Sequence, residues 1–171
     1  MEHNPAWARP LGWCLHALGL LLILAPLLDL AAGIGSLSPG EVPWRFGAAG
    51  LLSGALVLPV LGLGLMLVAT VALEQYRLTR TVGVVALLLL VAVLAVTVSF
   101  GLDSVQVRAQ VRQDAKRAFD LAAFKAVATF CLEALVLVVF AVNARRAAQV
   151  GKPGPGARRV GGIIVGSKGD A

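Results

Sequence analysis

Residues 81–100 read TVGVVALLLLVAVLAVTVSF, a run from Thr81 to Phe100 without one ionisable side chain. At a rise of about 1.5 Å per residue such a helix is about 30 Å long, the hydrocarbon thickness of a bilayer. No water reaches the backbone in that layer, so the segment must be helical, with its N–H and C=O groups paired internally. Three further blocks are long and apolar enough to do the same, though two of them carry ionisable residues: Leu11 to Gly33, Phe46 to Leu73 and Leu121 to Val142. The second is longer than the layer is thick and must tilt or emerge. Trp7 and Trp13, Trp44 and Phe46, Tyr76, and Phe100 stand near block ends, where amphipathic rings prefer to lie.

The whole chain agrees with this reading. Of its 171 residues 58% are hydrophobic and 14% charged, and the mean hydropathy is +0.87. Soluble domains average about 25% charged residues. The sequence therefore predicts an all-α, polytopic membrane protein, with four transmembrane helices in a bundle over residues 1–148 and a flexible basic tail over 149–171. In that tail Gly151-Lys152-Pro153-Gly154-Pro155-Gly156 has linker composition, and the apolar island Gly161 to Gly166 is too short to span anything. The first block is long and interrupted by Pro26 and Asp29, so it reads as an uncleaved span rather than a signal peptide.

The formal charge is +6. Nucleic acid is not the expected partner, because Arg77, Arg80, Arg145, Arg146, Lys152, Arg158 and Arg159 all flank apolar blocks, as retention charges do. The same rule places both termini in the cytoplasm of a bacterial inner membrane. Arg108, Arg112, Lys116 and Arg117 then lie outside, interspersed with Asp103, Asp114 and Asp120. Cys14 and Cys131 form no C-x-x-C pair and read as buried small hydrophobes.

Between the third and fourth blocks, Asp103 followed by Gln106 resembles a capping box and predicts a helix start. Val107, Val111, Ala115, Ala118, Phe119 and Ala122 recur at helical spacing, giving an amphipathic helix over about 103–120. With no Pro or Gly to break it, this helix is expected to run on into the fourth span. Its apolar stripe is then expected to rest in the headgroups or on a partner, since the first loop is too short to cover it.

An ionisable group at membrane depth costs roughly 2.5 to 3.5 kcal/mol, so each one calls for a named role. Glu133, mid-way along the fourth span, should face the bundle, neutral or paired. His16, Thr129 and Ser53 are its candidate partners. Asp29 and Lys125 fall near the same end and either pair with each other or reach separately to the interface. Gly50-Leu51-Leu52-Ser53-Gly54 is a small-xxx-small pattern that permits close helix packing, with Gly47 one turn before it. Haem ligation is not expected, since His3 lies outside any span, and no metal site, cofactor or catalytic cluster is predicted. The small four-span efflux proteins carry their acidic residue in the first helix, and the four-span thiol oxidoreductases need a C-x-x-C, so neither analogy fits. The sequence thus points to a non-catalytic structural or accessory subunit, whose partners are the bilayer and other membrane proteins or copies of itself. The alternative is a small proton- or cation-coupled transporter using Glu133.

Overall fold

The computed structural model describes residues 8–33, 38, 40–150, 158–160 and 163–165. Helix α1 spans Ala8–Gly33, α2 Val42–Ala55, α3 Val57–Ala72, α4 Tyr76–Gln110 and α5 Lys116–Val150, with a 3-10 turn at Gln113–Ala115. α2 and α3 are two halves of one apolar segment, so four helical segments are long and apolar enough to cross a membrane. In the tail, β1 (Arg158–Val160) pairs antiparallel with β2 (Ile163–Val165), a ladder too small to be stable by itself. His3, Trp7 and residues 151–156 lie outside the described residues.

The interruption at Leu56 has a local cause. Pro59 has no N–H to donate to Ala55, and its ring crowds that carbonyl, so the helix resets one turn earlier. The ladder is otherwise nearly intact: Leu56 N–H donates to Leu52 O and Val60 N–H to Leu56 O, both at 3.0 Å. At the other end of α3, Glu74 takes the left-handed conformation (φ 54°). Glu74 N–H then donates to Val71 O and Gln75 N–H to Thr70 O. This crossed pair of bonds closes the helix and turns the chain into α4 within three residues.

α1 lies against α3, and α4 pairs along most of its length with α5; α2 and α3 both touch that pair. Among the described residues α1 makes no close approach to α4 or α5. The core is formed by Leu56, Val60, Leu63 and Leu67, by Val82, Ala86 and Val93, and by Phe130, Leu137 and Ala144. α1 meets α3 almost backbone to backbone: a Cβ on Gly62 would come within 2.5 Å of Gly19 O. Outside this core the surface is no less apolar, with Leu28, Leu88, Val91 and Leu132 all exposed. Hydrocarbon as solvent makes no demand for a polar outer face, which is why inward and outward positions look alike in the sequence.

The connection between the third and fourth spans departs from expectation. No helix begins at Asp103; α4 runs unbroken from Tyr76 to Gln110, about 52 Å. The break falls at Val111 and Arg112, both extended (ψ 134° and 148°), before the 3-10 turn leads into α5. Residues 103–120 are therefore shared between the two arms of a helical hairpin rather than forming one helix continuous with the fourth span. Asp103 cannot cap because its carboxylate is committed elsewhere, and the turn is held by tertiary contacts instead of a Pro or Gly. Part of the apolar stripe is covered within the chain: Phe119 stacks on Phe46 at 5.1 Å and Val107 and Val111 are half-buried, while Ala115, Ala118 and Ala122 stay exposed.

Candidate functional site

Two places in the fold carry charge or polarity where apolar packing alone would not put it. The first lies just past the apolar stretch of α4. Arg45, in the first turn of α2, donates from Nε to Asp103 Oδ2 at 2.9 Å and from Nη2 to Asp103 Oδ1 at 2.8 Å. Asp103 is only 5% exposed, so its charge is answered by a two-pronged match of guanidinium to carboxylate. Beside the pair, Phe46 stacks on Phe100 with ring centroids 4.7 Å apart, and Phe100 meets Phe130 edge-on at 6.3 Å. The three rings and the ion pair pin α2 to both arms of the hairpin. Next to them lies an open apolar cleft of about 360 Å³, bordered by Trp44, Leu52, Val96 and Ser99.

Farther along the hairpin, Arg108 donates to both carboxylate oxygens of Asp120, at 2.7 and 2.9 Å. This pair is at the tip, outside the apolar stretches, and largely exposed. The Arg108 guanidinium holds the Asp120 carboxyl below the usual carboxylate range, chiefly through these hydrogen bonds.

The second place is Glu133. Its side chain sits on the inward face of α5 between Phe130 and Leu137 and is 5% exposed, and neither carboxyl oxygen meets a hydrogen-bond partner. The register set by Gly83 against Ala144 and by Arg108 against Asp120 puts it level with Leu94 and Ala95 of α4. Neither hydroxyl expected as a partner reaches it. Ser53 donates to Gly50 O at 2.7 Å and Thr129 to Lys125 O at 2.9 Å, each satisfied on its own helix. Thr97 likewise donates to Val93 O.

His16 does not approach Glu133, because α1 packs on α3 and stays clear of α5. Its Nδ1 donates to Gly12 O at 2.7 Å, its Nε2 is buried without a partner, and its ring lies near Trp13. Asp29 and Lys125 are both exposed, and the separation of α1 from α5 leaves no ion pair between them. Among the described residues Gly47, Gly50 and Gly54 pack against nothing: a Cβ at each would meet open space within 4 Å. The glycines that do bring helices together are Gly12, against Leu73 at the end of α3, and Gly19, Gly62, Gly64 and Gly83. Cys14 and Cys131 are free and exposed rather than buried, since on a lipid-facing helix an apolar thiol is equally at home outside. Among the described residues no three His, Cys, Asp or Glu side chains gather to hold a metal.

Sequence reasoning missed both bidentate pairs. Arg45 and Asp103 are separated by 58 positions, and no spacing rule reaches so far. No known protein family, no curated protein and no solved structure matches this chain.

Proposed function

We propose that this protein is a non-catalytic structural or accessory subunit of a membrane complex or homo-oligomer. The observation that carries the reading is the open face of α2. In a helix whose opposite side is anchored by Arg45, Phe46 and Leu52, the outer side presents Gly47, Gly50 and Gly54 with no neighbour among the described residues. A face of small residues lets a second helix come close and gain dispersion contacts that lipid tails supply less well. Gly101 of α4 also meets open space but stands singly past the apolar stretch, whereas the three glycines of α2 make a continuous face that suits a helix from another polypeptide or another copy.

Charge supports the threading that goes with this reading. At the hairpin end Arg45, Arg108 and Arg112 are matched to aspartates, while Lys116 and Arg117 have no salt bridge among the described residues. At the other end, Arg77, Arg80, Arg145 and Arg146 have no such partner among the described residues. The orientation follows the count of Lys and Arg: Arg9, Arg77, Arg80, Arg145, Arg146, Lys152, Arg158, Arg159 and Lys168 go with the end that bears the termini, against Arg45, Arg108, Arg112, Lys116 and Arg117 at the hairpin end, and the richer end belongs on the cytoplasmic side of a bacterial plasma membrane. Native mass spectrometry after gentle detergent extraction tests the assembly reading. Oligomers or co-purifying subunits are expected, lost in Gly50→Leu/Gly54→Leu. A strictly monomeric, partner-free wild type would reject it.

One observation favours a second reading. A buried carboxyl without a hydrogen bond marks Glu133 as a candidate carrier in a small proton- or cation-coupled transporter. Against it, the nearby hydroxyls are turned onto their own helices and offer no onward relay. Flux in proteoliposomes, compared between wild type and Glu133→Gln, separates the two: a subunit of the first kind has no flux to lose.

A further inference from the structure

Where α4 begins and α5 finishes, the two helices border an open groove of about 720 Å³. Its deep part is walled by Val84, Leu87 and Leu90 from α4 and by Val138 and Val142 from α5. All five belong to the apolar stretches, so this part lies at the depth of lipid chains. The helices meet here through small residues, with a Cβ on Gly83 falling 2.7 Å from the Ala144 methyl. Gly83, Ala144 and Ala148 supply little bulk to fill the space.

The mouth is different. Arg77, Arg80 and Arg145 stand around it, with Tyr76 beside them, and among the described residues no acidic side chain lines the groove. Among the described residues none of these three guanidinium groups has a salt bridge or a side-chain hydrogen bond. The first turn of α4 opens on the same rim, its N–H groups uncapped by the Gln75 side chain. Those dipoles add to the positive potential.

We propose that this groove binds an anionic phospholipid, its phosphate held among Arg77, Arg80 and Arg145 and one acyl chain laid along Val84, Leu87 and Val142. Three points select this occupant. The cationic mouth demands a negative group, and basic pockets between membrane helices suit lipid headgroups. The apolar wall continues into the bilayer depth, so a soluble phosphate would leave most of the groove unfilled. The chain's own tail is the wrong sign, since residues 151–171 carry Lys152, Arg158, Arg159 and Lys168 against Asp170 alone.

Native mass spectrometry of the full-length protein in a neutral detergent, titrated with phosphatidylglycerol and with phosphatidylcholine of the same chains, tests the site. The phosphatidylglycerol adduct is expected at about tenfold lower lipid concentration. Arg77→Gln/Arg80→Gln/Arg145→Gln should erase that preference with helical content unchanged by circular dichroism, while Arg112→Gln/Arg117→Gln at the opposite end should leave it intact. Leu87→Trp, which fills the apolar wall and spares every arginine, should also weaken the adduct. Equal binding of the two lipids, a preference that survives the triple glutamine variant, or an adduct indifferent to Leu87→Trp would each overturn the proposal. So would complete displacement of the lipid by millimolar inorganic phosphate, or a lipid-free dimer with the groove closed by a second copy.

Discussion

Arg45 and Asp103 face each other across the junction of α2 with the hairpin, joined by hydrogen bonds of 2.9 and 2.8 Å. Removing either partner leaves the other in a place built for two. Arg45→Gln and Asp103→Asn are each expected to lower the thermal midpoint in detergent, and the double variant to be no worse than the more damaging single one. Additive losses in that cycle would show that the two residues act independently.

At the hairpin tip the Arg108–Asp120 pair gives the protein a pH dependence of known sign. Because the folded Asp120 carboxyl is held below its ordinary value of 3.8, the unfolded chain binds the proton more readily. The stabilisation is complete above that value and is lost as the pH falls through the lowered folded one. Comparing acid titrations of wild type and Asp120→Asn by hairpin-directed proteolysis should show a smaller acid-induced loosening in the variant. An identical acid limb in both would contradict the assignment.

The two sets of glycines should respond in opposite ways. Gly62→Leu drives a side chain into the Gly19 backbone and is expected to destabilise by about 1 to 3 kcal/mol or more, releasing α1 from α3. Gly50→Leu meets open space and should leave the unfolding midpoint of the isolated chain unchanged. Disulfide trapping between cysteines placed on α1 and α3 reads the difference, and equal trapping in both variants would refute it.

Much of this was legible in advance. Four apolar blocks of bilayer length announced four crossing segments, but not the interruption that divides α2 from α3, since a proline such as Pro59 is often tolerated inside a membrane helix. The inward face was not legible, because Leu28 and Leu137 are equally hydrophobic although only the second is buried. Cys14 and Cys131 went the same way. The hairpin turn was hidden for another reason: nothing at Val111 or Arg112 breaks a helix, and the contacts that stabilise the turn come from Phe46 and Asp120. Of the polar candidates, Glu133 is buried where its place in the block suggested, but its partners could not be read because side-chain hydroxyls in membrane helices so readily bond their own backbone.

Glu133 also makes a stability prediction that is indifferent to function. A buried carboxyl without a partner costs free energy, and an apolar side chain of similar size avoids that cost. Glu133→Leu is expected to stabilise the chain by about 1 to 3 kcal/mol in detergent unfolding. A loss of stability would mean that the carboxyl holds a contact.

The most extensive helix contacts, α1 on α3 and α4 on α5, join segments that are consecutive crossings of the chain. Such neighbours meet with little loop to close, so each pair forms as soon as its second member has been synthesised. Insertion is then expected to proceed as two successive hairpins, the earlier one formed before the later one. Co-expressed halves divided in the turn between Leu73 and Tyr76 should accordingly find each other in the membrane, and failure to recover them as a complex would show that the two hairpins depend on the intact polypeptide.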